Sequence, residues 1–382
     1  MIDLSIEFAG LKLKNPLIAA SAGTTKDAVH CKKAADAGYS AVILKSVQEE
    51  MINRYNPFPR MSIIRNGIPG YQSVTFMTYE QAFEGEIEDY CEEIKRTKDM
   101  LDIPVIASLN CANEQTWAQY AVKCEAAGAD ALEIVPSCPV GAFVREAAEF
   151  YPAASKALKS VKEVVKIPAG LKMTQQMSNP ILCARNLEED GADWVTMFNR
   201  SSGFQIDIDT MEPIMHKGFC GHGGPWVIQS VMRWIAASYP YVRIPISATG
   251  GAANYEDVVR YMLSGAATVQ IASLIYMKGY DIVKRILEDL VEYLEKHKLD
   301  KVSTLTGIGA NKVLPLSEAD RSHRYYAEVD YENCIRCQNC FPVCIYGAIT
   351  QEDRRPVIHK DICDGCGLCS QVCNRAITMK QR

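Results

Sequence analysis

The stretch "AAGADALEI", residues 126–134, decides the architecture of most of this chain. A helical run ends at Ala126 and Ala127, Gly128 follows, and an apolar strand begins two or three residues on. Glycine ends a helix readily because it enters the left-handed region without a steric penalty. The nine residues therefore read as a helix end, a short αβ loop and a strand. The same layout returns in "DAGYSAVIL" (36–44), "EDGADWVTM" (189–197) and "LSGAATVQI" (263–271), with Gly38, Gly191 and Gly265 at the joint.

Eight apolar runs read as strands: 15–21, 41–46, 104–109, 131–137, 167–173, 194–199, 244–250 and 267–273. They lack clean alternation, as parallel strands covered on both faces do. Segments between them, such as "DAVHCKKAADAG" (27–38) and "NEQTWAQYAVKCEAAG" (113–128), carry helical spacing. Eight β/α units over roughly 300 residues predict an α/β fold, a (β/α)8 TIM barrel over 1–315. A doubly wound open sheet is the competing arrangement. Against it, the first βα turn, "SAGTTKD" (21–27), is not a dinucleotide fingerprint.

Composition narrows the function. Of 382 residues 48% are apolar, enough for a large core, and the net charge is −5. With no basic stripe, nucleic acid is not an expected partner. The N-terminus lacks the apolar core of a signal peptide, and no run approaches about 18 apolar residues, so no membrane span is expected.

Fifteen cysteines remain to be explained, eight of them in the last fifty residues. "CIRCQNCFPVC" (334–344) and "CDGCGLCSQVC" (363–373) both read Cys-x2-Cys-x2-Cys-x3-Cys. Zinc sites use two separated ligand pairs, and disulfides need no such spacing. The pattern is that of two-cluster ferredoxins, in which the fourth cysteine of each run serves the other cluster. It assigns Cys334, Cys337, Cys340 and Cys373 to one [4Fe-4S] cluster, and Cys363, Cys366, Cys369 and Cys344 to the second. The proline usual after the fourth cysteine is replaced by Ile345 and Asn374. Thiolate ligation suggests a reducing, cytoplasmic setting. The polar segment 316–329 reads as a linker, and 330–382 as a ferredoxin-like domain.

Barrel chemistry sits at the C-terminal ends of the strands. Those ends carry Ala20 and Ser21 (small, admitting a flat ring), Lys45, Cys138, Lys172, Asn199, Gly250–Gly251 and Ala272–Ser273. Glycine-rich backbone after strands 7 and 8 is the fold's usual phosphate site. A phosphate-bearing cofactor beside lysines and a one-electron wire suggests FMN, which converts single electrons into hydride chemistry. Lys172 is placed to stabilise the reduced ring. Cys138, in "SCPVG", can protonate the carbon beside the one that receives hydride. Cys111, Cys220, His216 and His222 are second-rank candidates near the active face. Cys31, Cys91, Cys124 and Cys183 sit in helical stretches as packing residues.

These residues resemble the class 1 dihydroorotate dehydrogenase family. With its two-cluster tail the whole chain is similar to the iron–sulfur subunits of bacterial NAD-dependent dihydropyrimidine dehydrogenases. The likeness is most specific in "IPISATGGAANYEDVVRYMLSGAATVQIAS" (244–273), "GIGANKVLPLSEADRSHRYY" (307–326) and the cysteine runs. It implies a general acid at Cys138, flavin contacts at Lys172 and Lys45, and substrate contact at Asn199. Asn110, Thr196 and Gly224 join the cofactor set. The substrate positions depart: Val135 and Thr78 stand where the family has asparagines, and Arg200 where it has threonine. A site built around amides loses its ligand when they go, so the pyrimidine is in doubt, and Arg200 suits a carboxylate.

The expectation is therefore an oxidoreductase acting on an activated C=C bond, with FMN and two [4Fe-4S] clusters. An FAD- and NAD(P)H-binding partner subunit or a ferredoxin feeds it, in a homo- or hetero-oligomer. Alternatives are a dihydropyrimidine dehydrogenase acting on uracil or thymine, and a non-catalytic electron-transfer subunit.

Overall fold

The eight runs are eight parallel strands. In the computed structural model, which describes residues 2–49, 56–67, 72–79, 82–136, 147–214, 216–373 and 375–382, they are β1 (Leu17–Ala19), β2 (Ala41–Ile43), β3 (Val105–Asn110), β4 (Ala131–Ile134), β5 (Ala169–Lys172), β6 (Trp194–Met197), β7 (Ile246–Thr249) and β8 (Thr268–Ile271). The order β2-β1-β8-β7-β6-β5-β4-β3 closes on itself where Val42 and Ile43 pair with Val105 and Ile106. Closure excludes the open doubly wound sheet.

The glycine joints behave as their sequence demands. Gly38, Gly128, Gly191 and Gly265 have φ of 122°, 98°, 97° and 115°, where a Cβ is strained. Two of the repeated units also share an aspartate with one task. Asp130 Oδ2 accepts the Val105 N–H at 2.7 Å and pairs with Lys98, and Asp193 Oδ2 accepts the Ala169 N–H at 2.7 Å and pairs with Lys162. Each ties a strand start to the helix beside it. At the opposite ends, Asp27, Asn113, Asn179 and Asn254 cap helices by accepting the N–H three residues on.

The N-terminal end of the barrel is shut by the hairpin Ile6–Phe8/Leu11–Leu13, whose Phe8 ring lies 5.4 Å from that of Trp194. Trp194 in turn lies flat over Gly170, where a Cβ would sit 2.0 Å from the indole. With that end plugged, chemistry is confined to the other.

Over the C-terminal end lies a four-stranded antiparallel sheet, ordered Ser201–Gly203, Cys220–Gly223, Ser73–Thr78, Met61–Asn66. Two strands come from the excursion after β2 and two from that after β6. Pairing of Gly221 with Thr78, and of Gly223 with Phe76, locks the two together.

Contacts divide the chain into two units, Met1–Val313 and Leu314–Arg382. In the second, Tyr325–Val329 pairs antiparallel with Ile377–Gln381, and Ile349–Glu352 with Arg355–Ile358. The linker expected over 316–329 is thus too long. Its last five residues form a strand whose Ala327 packs into the small core with Cys340, Cys369 and Ile377, while its other side chains stay accessible. Among the described residues no helix is long and apolar enough to cross a membrane.

Gly170→Ala forces a methyl into the Trp194 ring. Overpacking of this kind costs about 1–3 kcal/mol, and a lower urea midpoint with an unchanged slope is the expected result.

Candidate active site

A cavity opens between the strand ends and the covering sheet. Ala20, Ser21, Lys45, Asn110, Lys172, Gly224, Gly250, Gly251, Ala272 and Ser273 line it, as do Thr78, Val135, Asn199 and Arg200. The sequence-derived residues are therefore brought together, with three exceptions. Thr196 is fully buried beneath the cavity. Cys138 and Asn374 lie outside the described residues.

The cavity floor rests on a polar cluster inside the barrel. Glu133, on β4, is wholly buried. Its Oε1 is 3.2 Å from Lys172 Nζ, and its Oε2 accepts from Thr196 Oγ1 at 2.9 Å and from Gln270 Nε2 at 2.8 Å. Lys172 Nζ also donates to Gln270 Oε1 at 3.1 Å, and Trp194 Nε1 donates to Thr196 Oγ1 at 3.3 Å. A buried carboxylate demands this degree of satisfaction. Lys172 thus presents an ammonium to the cavity whose carboxylate partner lies on the side away from it. This is where Thr196 acts: it positions Glu133 and so Lys172.

Above the floor, backbone takes over. Gly251 has φ of 75°, and a Cβ there would sit 2.4 Å from the Gly224 carbonyl oxygen. The Tyr261 hydroxyl, its pKa pushed up by burial, donates to the Gly250 carbonyl. Gly250–Gly251 is thereby held as a side-chain-free edge, with the small residues Ala272–Ser273 also in the lining. On the wall Ser46 bridges Ser21 (3.1 Å) and Ser108 (2.7 Å) through its hydroxyl.

The covering sheet contributes Ser201 and His222, and Arg200 directly precedes its strand Ser201–Gly203. Two glycines make room for the larger side chains. A Cβ on Gly221 would meet Arg200 Nε at 2.2 Å, and one on Gly203 would meet the His222 ring at 2.5 Å. Among the described lining residues stand Lys45, Lys172, Arg200 and His222, and no aspartate or glutamate. The second-rank cysteines do not reach the cavity. Cys111 is buried against Glu49, and the Cys220 thiol faces the Gly203 carbonyl at 3.7 Å. Burial raises the pKa of both. His216 contacts the Pro59 carbonyl instead of the cavity.

In the second unit the cysteines divide between two cavities. Cys334, Cys337, Cys340 and Cys373 line one cavity, and Cys344, Cys363, Cys366 and Cys369 another. Burial, helped by neighbouring cysteines, pushes the Cys340 thiol up to about 11.

The family model for dihydroorotate dehydrogenase matches residues 3–294, and that for the 4Fe-4S binding domain matches 327–350. The chain belongs to the dihydroorotate dehydrogenase family. Among its relatives is the NAD-dependent dihydropyrimidine dehydrogenase subunit PreA of Escherichia coli (strain K12), 29% identical over 97% of this chain and 93% of that one. The catalytic subunit of dihydroorotate dehydrogenase B (NAD(+)) from Methanocaldococcus jannaschii is 28% identical over 78% of this chain and 95% of its own. That from Pyrococcus furiosus is 29% identical over 82% of this chain and 100% of its own.

The protein is accordingly a flavin- and iron–sulfur-dependent oxidoreductase of the CH–CH class. Members need a flavin cradle, and the residues present fit one: a side-chain-free edge for a phosphate and an ammonium beside a broad cavity. Sequence reasoning missed Glu133, Gln270 and Gln48. The signal was there for the first two, since each is a long polar side chain set within a short strand run, "ALEIV" and "TVQI". Gln48 pairs along the backbone with Asn110, lines the cavity, and has its buried Oε1 without a partner.

Glu133→Gln removes the charge opposite Lys172 and leaves a buried ammonium. Loss of about 3–5 kcal/mol is expected, read from denaturant unfolding, together with weaker retention of flavin on gel filtration. Unchanged values for both would refute the role given to Glu133.

Proposed function

We propose that the chain reduces, or in reverse forms, an activated C=C bond in a small substrate that carries a carboxylate, using FMN and two [4Fe-4S] clusters. The observation that carries this reading is the charge of the cavity: three cations and a histidine, with no acid among the described lining residues.

When bound, FMN supplies hydride chemistry and the clusters supply single electrons. Gly250, Gly251, Ala272 and Ser273 hold the phosphate, and Ala20 and Ser21 admit the ring. Lys172 and Lys45 stabilise negative charge that develops on it, with Asn110 and Gly224 completing the contact. Arg200, with room made by Gly221, binds the substrate carboxylate through paired N–H donors, and His222 and Asn199 flank it. Val135 and Thr78 stand at the two positions where the family has asparagines, so those two amides are not offered to a pyrimidine ring. Cys138 gives a proton to the carbon next to that receiving hydride, and takes it back in the reverse direction. An FAD- and NAD(P)H-bearing partner subunit or a ferredoxin delivers electrons to the clusters, in a reducing, cytoplasmic setting. The relative named as a subunit supports assembly with such a partner.

Whole-chain likeness to a dihydropyrimidine dehydrogenase subunit favours a second reading, in which uracil or thymine is the substrate. Reoxidation of the chemically reduced protein separates the two. A panel of 2-enoates should reoxidise it faster than uracil or thymine; the opposite order selects the pyrimidine. Cys138→Ala should slow reoxidation about 100- to 10,000-fold. Arg200→Gln should raise the KM for the carboxylate about ten- to a hundredfold, the worth of one charge-assisted hydrogen bond. Purified protein without flavin would overturn both readings.

A further inference from the structure

The two cysteine loops are duplicates in backbone but not in charge. Aligned cysteine on cysteine, Arg336 and Gln338 of the first run fall on Gly365 and Gly367 of the second. All four are left-handed, with φ of 57°, 66°, 79° and 82°. Successive backbone N–H groups in such a loop turn toward an anion at its centre. The two loops therefore offer their clusters the same backbone hydrogen bonding, although the first does so with non-glycine residues.

Side chains at matched positions break the symmetry. Ile335 falls on Asp364, Arg336 on Gly365, and Arg375 on Tyr346. Because the fourth ligand crosses over, Arg336 and Arg375 line the same cavity, that of Cys334, Cys337, Cys340 and Cys373. Asn333, Gln338 and Asn339 add polar groups there. Asp364 and Tyr346 line the other cavity, where the Tyr346 hydroxyl bonds to Asp364. The rest of that cavity, including Val343, Ile349, Ile358 and Met379, is apolar.

Reduction adds a negative charge to a cluster. Nearby cations and polar surroundings favour it, and a carboxylate or an apolar wall opposes it. Both effects act in the same sense here.

From this we infer that the two clusters have unequal reduction potentials, with the cluster at Cys334, Cys337, Cys340 and Cys373 the higher, set by Arg336 and Arg375 against Asp364. The inference rests on the two-cluster reading. It makes the first cluster the site where a single electron rests and the second the one that gives its electron up.

Potentiometric titration of the full-length protein, followed by electron paramagnetic resonance, tests it. Two separate one-electron steps are expected. Arg336→Gly, which installs the residue of the matched loop without backbone strain, should lower the higher step and leave the other in place. Arg375→Gln should do the same, and Arg336→Lys should restore the parent value. Asp364→Asn should raise the lower step. Iron and acid-labile sulfide are measured on every variant. Material for one cluster only overturns the two-cluster reading and the ranking with it. Two clusters that titrate together, or an Arg336→Gly variant that moves the lower step, overturn the ranking alone.

Discussion

The first unit is organised around one buried carboxylate. Glu133 has no access to water, so each of its oxygens must find donors inside the barrel. It finds them on β5, β6 and β8, in Lys172, Thr196 and Gln270. β5 and β6 follow β4 in the ring, but β8 lies four strands on from β4, and the closed ring brings its Gln270 to the same point. The cluster and the closure therefore specify each other. A register shift by one residue in any of these strands would turn a partner outward and strand the charge. The same cluster aims Lys172 at the cavity, so the device that specifies the barrel also sets the electrostatics of the cofactor site.

Cofactor and substrate are handled by different kinds of structure. The edge made by Gly250, Gly251, Ala272 and Ser273 is backbone at the ends of β7 and β8. It tolerates little change, since a Cβ on Gly251 collides with the carbonyl of Gly224. His222 instead stands on the covering sheet, with Arg200 directly before its strand Ser201–Gly203, and that sheet is built from excursions, where variation is tolerated more readily.

Much of this was legible beforehand because it is local. A helix end, a glycine and a strand lie within nine residues, and four cysteines within eleven. The covering sheet was not legible. It pairs Ser73–Thr78 with Cys220–Gly223, more than a hundred residues apart, and neither segment shows strong alternation. Thr196 is expected in the cofactor set from the family resemblance. In the barrel it pairs with Lys172, but its side chain is short, so it stops at the layer that the lysine passes through. The depth of a residue in a barrel depends on side-chain length as well as on position. The strand in 316–329 was hidden for a different reason: the segment as a whole is rich in charged and polar residues, and only Ala327 of "YYAEV" is fully buried.

Both units follow one rule. Backbone geometry is kept where an anionic group must be held, by glycines under the phosphate edge and by left-handed residues in the cysteine loops. Charge is varied in the side chains around it. In the second unit duplication makes this visible, because two loops of the same backbone shape carry two arginines in one cavity and one aspartate in the other. A duplicated module with identical surroundings would give its electrons no preferred resting place. Divergence at three matched positions is enough to supply one, and it requires no change at any ligand.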